Sequence, residues 1–185
     1  MAIKKYSKVK FTLRKELIFI LAGILLLVVG TILFNLPTEE EKTLEKWNNA
    51  GSKITDFSLF DEVSFSELNG ILDSKQSGEY TYVLYASPAD ANSVTLLDQI
   101  HTIVTTSREY SHVTKIYIVD SSNTTENDFA LENFKDTKGE SINLETAYNL
   151  WLFEGKTIVN SINRFTDNSL TMDQSIIAML NKTHA

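Results

Sequence analysis

The chain has 185 residues, no cysteine, three histidines and a formal net charge of −7, room for one ordinary domain and an appendage. Without cysteine there is no disulfide, thiolate nucleophile, iron–sulfur cluster or cysteine zinc site. His101, His112 and His184 show no ligand spacing, so neither a metal nor any other cofactor is expected.

Residues 1–16 hold six basic residues against one acidic, and residues 17–185 hold eleven against 23, a net −12. Between the two halves, residues 17–36 read LIFILAGILLLVVGTILFNL, twenty positions without a charge. A helix of that length is about 30 Å long, a hydrocarbon core, and it satisfies its own backbone hydrogen bonds. A cleaved signal peptide would have an apolar region of about 7–15 residues ending in small residues; this run is longer and leaves through Phe34-Asn35-Leu36-Pro37. The expectation is an uncleaved single-pass anchor in the lipid bilayer. The positive-inside rule puts the basic tail 1–16 in the cytoplasm and the domain outside the cell. Anionic lipid and topology account for the basic tail, and the acidic remainder repels nucleic acid, so no nucleic-acid partner is expected.

After the span, Thr38 and Glu41 have capping-box spacing, and the helix they start carries Leu44 and Trp47 before Gly51, a natural C′ residue. Residues 37–53 read as a juxtamembrane stalk, with Trp47 packed on the domain or free as a partner contact. The domain proper is expected over 54–185. Ile54–Phe60 alternates like a strand. Ser64 and Glu67 form a second capping box before Leu68, Ile71 and Leu72. Tyr80–Tyr85 is an aromatic and β-branched strand, and a corner at Pro88 leads to a helix from about Ala91 to Glu109. Lys115–Val119 is a short strand, 120–127 a polar loop, and Asp128–Phe134 a short helix. Ala147–Phe153, the turn Glu154-Gly155-Lys156 and Thr157–Phe165 form a hairpin, and Thr171 with Gln174 caps a last helix. The order β-α-β-α-β-α-β-β-α calls for a mixed central sheet with helices on both faces.

The segments VSFSELNGILDSK (63–75), YVLYASP (82–88), KIYIVD (115–120) and LWLFEGKTI (150–158) resemble, in order and spacing, the thioredoxin-like fold. The narrower resemblance is to membrane-anchored thioredoxin-like proteins of Gram-positive bacteria, including bacteriocin transport accessory proteins. That resemblance implies a C-x-x-C pair just past the proline corner, but the matching positions are Asp90, Ala91, Asn92 and Ser93. It also implies a cis-proline before the hairpin, where this chain has Ala147 and Tyr148; its only prolines are Pro37 and Pro88. Thiol–disulfide exchange needs an attacking thiolate, so the fold is expected in redox-inactive form.

At the corner, Asp90 is a good N-cap for an N–H at Asn92 or Ser93. An enzyme would need Ser93 as nucleophile with a base about 3 Å away, but His101 is eight residues along the same helix, about 12 Å by rise. No phosphate loop, G-x-S-x-G or paired-carboxylate motif is present, and no enzyme is expected. Asp120, Glu126 and Asp128 flank a loop of oxygen-bearing residues but lack the calcium-loop pattern, and Asn123-Thr124-Thr125 is formally a glycosylation acceptor. The functional expectation is a binding or accessory protein whose degenerate groove, at Pro88, Asp90–Ser93, Ala147 and Tyr148, takes a protein or peptide. The alternative is an assembly subunit contacting its complex through the membrane helix and stalk.

Overall fold

The computed structural model describes residues 15–122, 134–139, 148–162 and 170–183, with the side chains of Glu16 and Leu33 excepted. It separates into two compact units, residues 1–38 and 39–185.

In the first unit, helix α1 (Lys15–Phe34) stops two residues short of the expected Leu36. The large apolar side chains described in it are exposed all round, from Leu17 through Phe34. Thr31 Oγ1 donates to the Leu27 carbonyl at 2.7 Å, and Asn35 Nδ2 donates to the Thr31 carbonyl at 2.7 Å, so these two polar side chains are satisfied by the helix's own carbonyls. Among the described residues no helix is long and apolar enough to cross a membrane.

The second unit starts with α2 (Glu39–Asn49). Gly51 holds φ at +102°. The N–H of Ser52 reaches the Trp47 carbonyl at 3.1 Å and that of Gly51 the Asn48 carbonyl at 3.0 Å. This is the Schellman arrangement, and glycine at C′ permits it. There is no strand at Ile54. The Asp56 carboxylate accepts from Ser58 N–H at 2.9 Å and the Phe57 carbonyl from Phe60 N–H at 2.8 Å. This local turn outcompetes sheet pairing, so Ile54, Phe57 and Leu59 are buried from loop backbone and β1 is only Phe60–Glu62.

Helix α3 (Phe65–Asp73) carries the expected capping box: Ser64 N–H donates to Glu67 Oε2 at 2.8 Å and Glu67 N–H to Ser64 Oγ at 3.2 Å. Strand β2 (Tyr80–Ala86) and helix α4 (Ala91–Thr106) follow. The latter ends three residues before the expected Glu109, because Ser107 turns to extended backbone and starts a 3-10 turn over Arg108–Tyr110. Then come β3 (Ile116–Asp120), β4 (Lys135–Asp136), β5 (Asn149–Glu154), β6 (Thr157–Ser161) and α5 (Met172–Asn181), the last with its capping box at Thr171 and Gln174. Strand β4 begins one residue past the helix expected over 128–134, and Phe134, the one described residue of that range, is not helical; residues 128–133 lie outside the described residues, as do Ala147, His184 and the loop 123–125.

The described strands form one sheet in the order β1-β3-β2-β5-β6-β4. β1, β3 and β2 are parallel, β5 runs antiparallel to both neighbours, and β4 is parallel to β6. Period-2 alternation divides the core. Tyr82, Leu84, Ile116, Ile118, Leu150 and Leu152 pack with α2, α4 and α5. Val83, Tyr85, Val119, Trp151 and Phe153 pack with α3 and Phe134. The domain is therefore mixed α/β with helices on both faces of a six-stranded sheet, an arrangement compatible with the thioredoxin-like expectation.

On the stalk, one boundary is corrected, and of the two readings of Trp47 the packed one is found. The compact unit begins at Glu39, not 54, so α2 belongs to the domain. Trp47 is 1% exposed within the core and is not a surface contact for a partner; its indole is too large an apolar surface to leave in water when the sheet offers a slot.

Candidate functional site

The corner after β2 is built by three polar side chains. Asp90 sits in extended backbone as the N-cap of α4, and its Oδ2 accepts from Ser93 N–H at 2.7 Å and from the Ser93 hydroxyl at 2.8 Å. Ser93 Oγ in turn accepts from Ser87 N–H at 3.1 Å. Ser87 closes the turn by accepting from Asp90 N–H at 3.0 Å through its carbonyl and from Ala89 N–H at 3.2 Å through its hydroxyl. Ser93 is fully buried. Its proton is committed to a carboxylate and a lone pair to a backbone donor, so it offers no substrate-facing nucleophile. Pro88 and Asp90 are half-buried, while Ala89, Ala91 and Asn92 face solvent.

Tyr148 is half-buried against the sheet face that carries α4. It directly precedes Asn149, which pairs with Tyr85, so the register puts Tyr148 at the same sheet end as the corner. Beneath it, the buried Ser161 hydroxyl donates to Asn149 Oδ1 at 2.8 Å. Of the expected groove residues, Pro88, Asp90, Ala91, Asn92 and Ser93 therefore form one turn and Tyr148 shares their end of the sheet; Ala147 is outside the described residues.

The histidines are elsewhere. His101 stacks on Phe60 with ring centroids 6.2 Å apart. His112 contacts the Thr183 hydroxyl through Nε2 at 3.1 Å and the Glu109 carbonyl through Nδ1 at 3.3 Å. Among the described residues no group of three or more His, Asp or Glu is placed to hold a metal ion. Of the calcium-loop candidates only Asp120 is described, and its carboxylate accepts from Ser122 N–H at 2.9 Å and from Lys46.

That last contact belongs to a cluster the sequence does not announce. Lys46 Nζ of α2 donates to Glu62 Oε1 at 2.8 Å and to Asp120 Oδ2 at 3.1 Å. Glu62 ends β1 and Asp120 ends β3, so the ammonium bridges the carboxyl ends of two parallel strands, the same end at which β2 turns into the Pro88 corner. Burial pulls the Lys46 ammonium down, but the hydrogen bonds and Coulomb attraction of Glu62 and Asp120 outweigh it and hold it above its ordinary value. Burial likewise pushes the Asp120 carboxyl up, and hydrogen bonds from Ser122 and Lys46 bring it below the usual carboxylate range.

Clefts also lie along α4 and beside α2. One of about 420 Å³ runs along α4 between Lys53, Val94, Asp98 and Asp173. The other, about 370 Å³, separates Glu39, Glu40 and Thr43 of α2 from Phe57, Phe60 and Asp61.

The fold and this closed corner define a class no finer than a mixed α/β domain. Compared with known protein families and with curated proteins, the chain matches none.

Proposed function

We propose that this chain is a redox-inactive, membrane-anchored thioredoxin-like protein that binds a protein or peptide partner on the outer face of the cell membrane, in the manner of accessory proteins of Gram-positive bacteria. The observation that supports the reading is the hydrogen-bonded ring of Ser87, Asp90 and Ser93, at the positions where the resemblance implies a thiol pair, with Ala89, Ala91 and Asn92 exposed beside it. The anchor rests on the charge-free residues 17–36, on the all-round apolar surface of α1 and on the basic tail before it. The acidic charge of residues 17–185 favours a neutral or cationic partner. Fold analogy is what links the corner to binding.

A photo-crosslinking residue at Asn92 or Tyr148, in the full chain in intact membranes, tests it. A discrete adduct at one of these positions that survives exchange of residues 17–36 for an unrelated apolar helix is the expected result. No adduct from either position overturns the groove. Loss of the adduct on helix exchange favours the assembly-subunit role, in which α1 makes the contacts, though the burial of Trp47 deprives that role of its stalk contact.

A further inference from the structure

Helix α2 is the element joined, through residues 35–38, to α1. It has eleven residues, and among them a single buried side chain, Trp47; Leu44 is half-buried beside it. Isolated helices shorter than about 12–15 residues are marginal in water, so α2 depends on its docking. Three features make that docking shallow. The Trp47 indole N–H is buried with no acceptor among the described residues, which costs the docked state a hydrogen bond that water supplies to the undocked one. The Lys46 pairs with Glu62 and Asp120 are partly open to solvent, with side chains 39%, 27% and 29% exposed, so salt screens them. The first turn does not seat on the sheet: the 370 Å³ cleft already separates Glu39, Glu40 and Thr43 from the Phe57 and Phe60 rings.

The other end of the helix is pinned. Ser52 donates its hydroxyl to Asp98 Oδ1 of α4 at 2.6 Å, and Lys53 N–H reaches Asp98 Oδ2 at 3.1 Å. Together with the Gly51 turn, these bonds fix residues 51–53 to α4.

We infer that α2 is a strap that opens on its own, peeling from its Glu39 end and hinging at Gly51–Lys53, while the sheet and the other helices of the domain stay folded. Opening withdraws Trp47 from the core it shares with α4 and the sheet and joins its slot to the Phe57–Phe60 cleft, exposing an aromatic groove rimmed by Asp61, Glu62 and Asp120. Whatever moves α1 or residues 35–38 acts on the loose end of the strap. The inference is independent of the reading of the Pro88 corner.

Hydrogen exchange on the full chain in nonionic micelles tests it. Amides of residues 43–49 are expected to open at least ~10-fold more readily than those of β2 and β5, as sub-global units do. Raising salt to about 1 M should widen that gap. Lys46→Ala should widen it further, with β2 and β5 unchanged. Lys42→Ala, which removes only the α2-internal pair to Glu39, should leave it within about twofold, the size of one such helix pair. Equal protection of α2, β2 and β5 would overturn the strap, as would a Lys46→Ala variant that loosens all three together. A Lys42→Ala effect matching that of Lys46→Ala would mean fraying rather than undocking, and would overturn it too.

Discussion

Asp90 and Ser93 close on each other across one helical turn, the carboxylate Oδ2 taking both the backbone N–H and the side-chain hydroxyl of the serine. The same serine oxygen accepts from Ser87 N–H in the preceding loop, so the pair locks strand β2 to helix α4. Asp90→Ala removes the cap and should cost about 0.5–2 kcal/mol. Ser93→Ala leaves the buried Ser87 N–H without an acceptor, which should cost about 1–3 kcal/mol. Urea melts of the two variants measure both; a Ser93→Ala variant as stable as the parent would mean that water reaches Ser87.

Gly51 should tolerate no side chain. A Cβ there meets nothing within 4 Å, so space is not the constraint; the φ of +102° is. Gly51→Ala should lose about 1–2 kcal/mol, the left-handed penalty for an L-residue, seen as a lower thermal midpoint. Because Gly51 ends α2, the loss should also appear as faster exchange of the α2 amides.

Trp151 stacks on Tyr85 at 5.2 Å and meets the Phe153 ring edge-on at 6.3 Å, on the sheet face covered by α3. Trp151→Ala should cost about 3–5 kcal/mol through lost transfer energy and the cavity left behind. Circular dichroism with denaturant titration would show it. A loss under ~1 kcal/mol would mean that the aromatic cluster collapses into the space.

The Lys46 cluster gives α2 docking a pH window with two edges. The Asp120 carboxyl is held below its ordinary 3.8 in the folded chain, so its contribution is present above that value and is lost as pH falls through the depressed one. The Lys46 ammonium is held above its ordinary 10.5, so its contribution is present below that value and is lost as pH rises through the raised one. Salt sensitivity of α2 exchange should therefore be flat between these edges and fall away beyond them. Asp120→Asn should abolish most of the acid edge, and an unchanged acid edge in that variant would assign it to another carboxylate.

The caps and tight turns read directly from the chain because their stabilising partners lie within five residues. Ser64 with Glu67, Thr171 with Gln174, Asp90 with Ser93 and Gly51 with the end of α2 are short-range hydrogen-bond patterns, and each forms as its residue types dictate. The two-residue turn at Gly155 and Lys156 is of the same kind. Ile54–Phe60 misleads because its alternation is genuine but Asp56 and Ser58 offer the backbone a closer partner than any strand. Strand β4 is invisible beforehand, since two residues carry no periodicity and their pairing depends on β6, more than twenty positions away.

The amino-acid order by itself determined the absence of thiol chemistry, the opposed charges on either side of residues 17–36, and the caps that start α3, α4 and α5, because composition and three-residue spacings need no third dimension. Tertiary packing alone decided that Trp47 is core, that the Ser93 hydroxyl is sealed inside the corner, and that Lys46 meets Glu62 and Asp120 from 16 and 74 residues away. Those outcomes turn on which apolar surfaces the sheet could cover and which charges that brought together, and burial is a property of the whole chain that no local window contains.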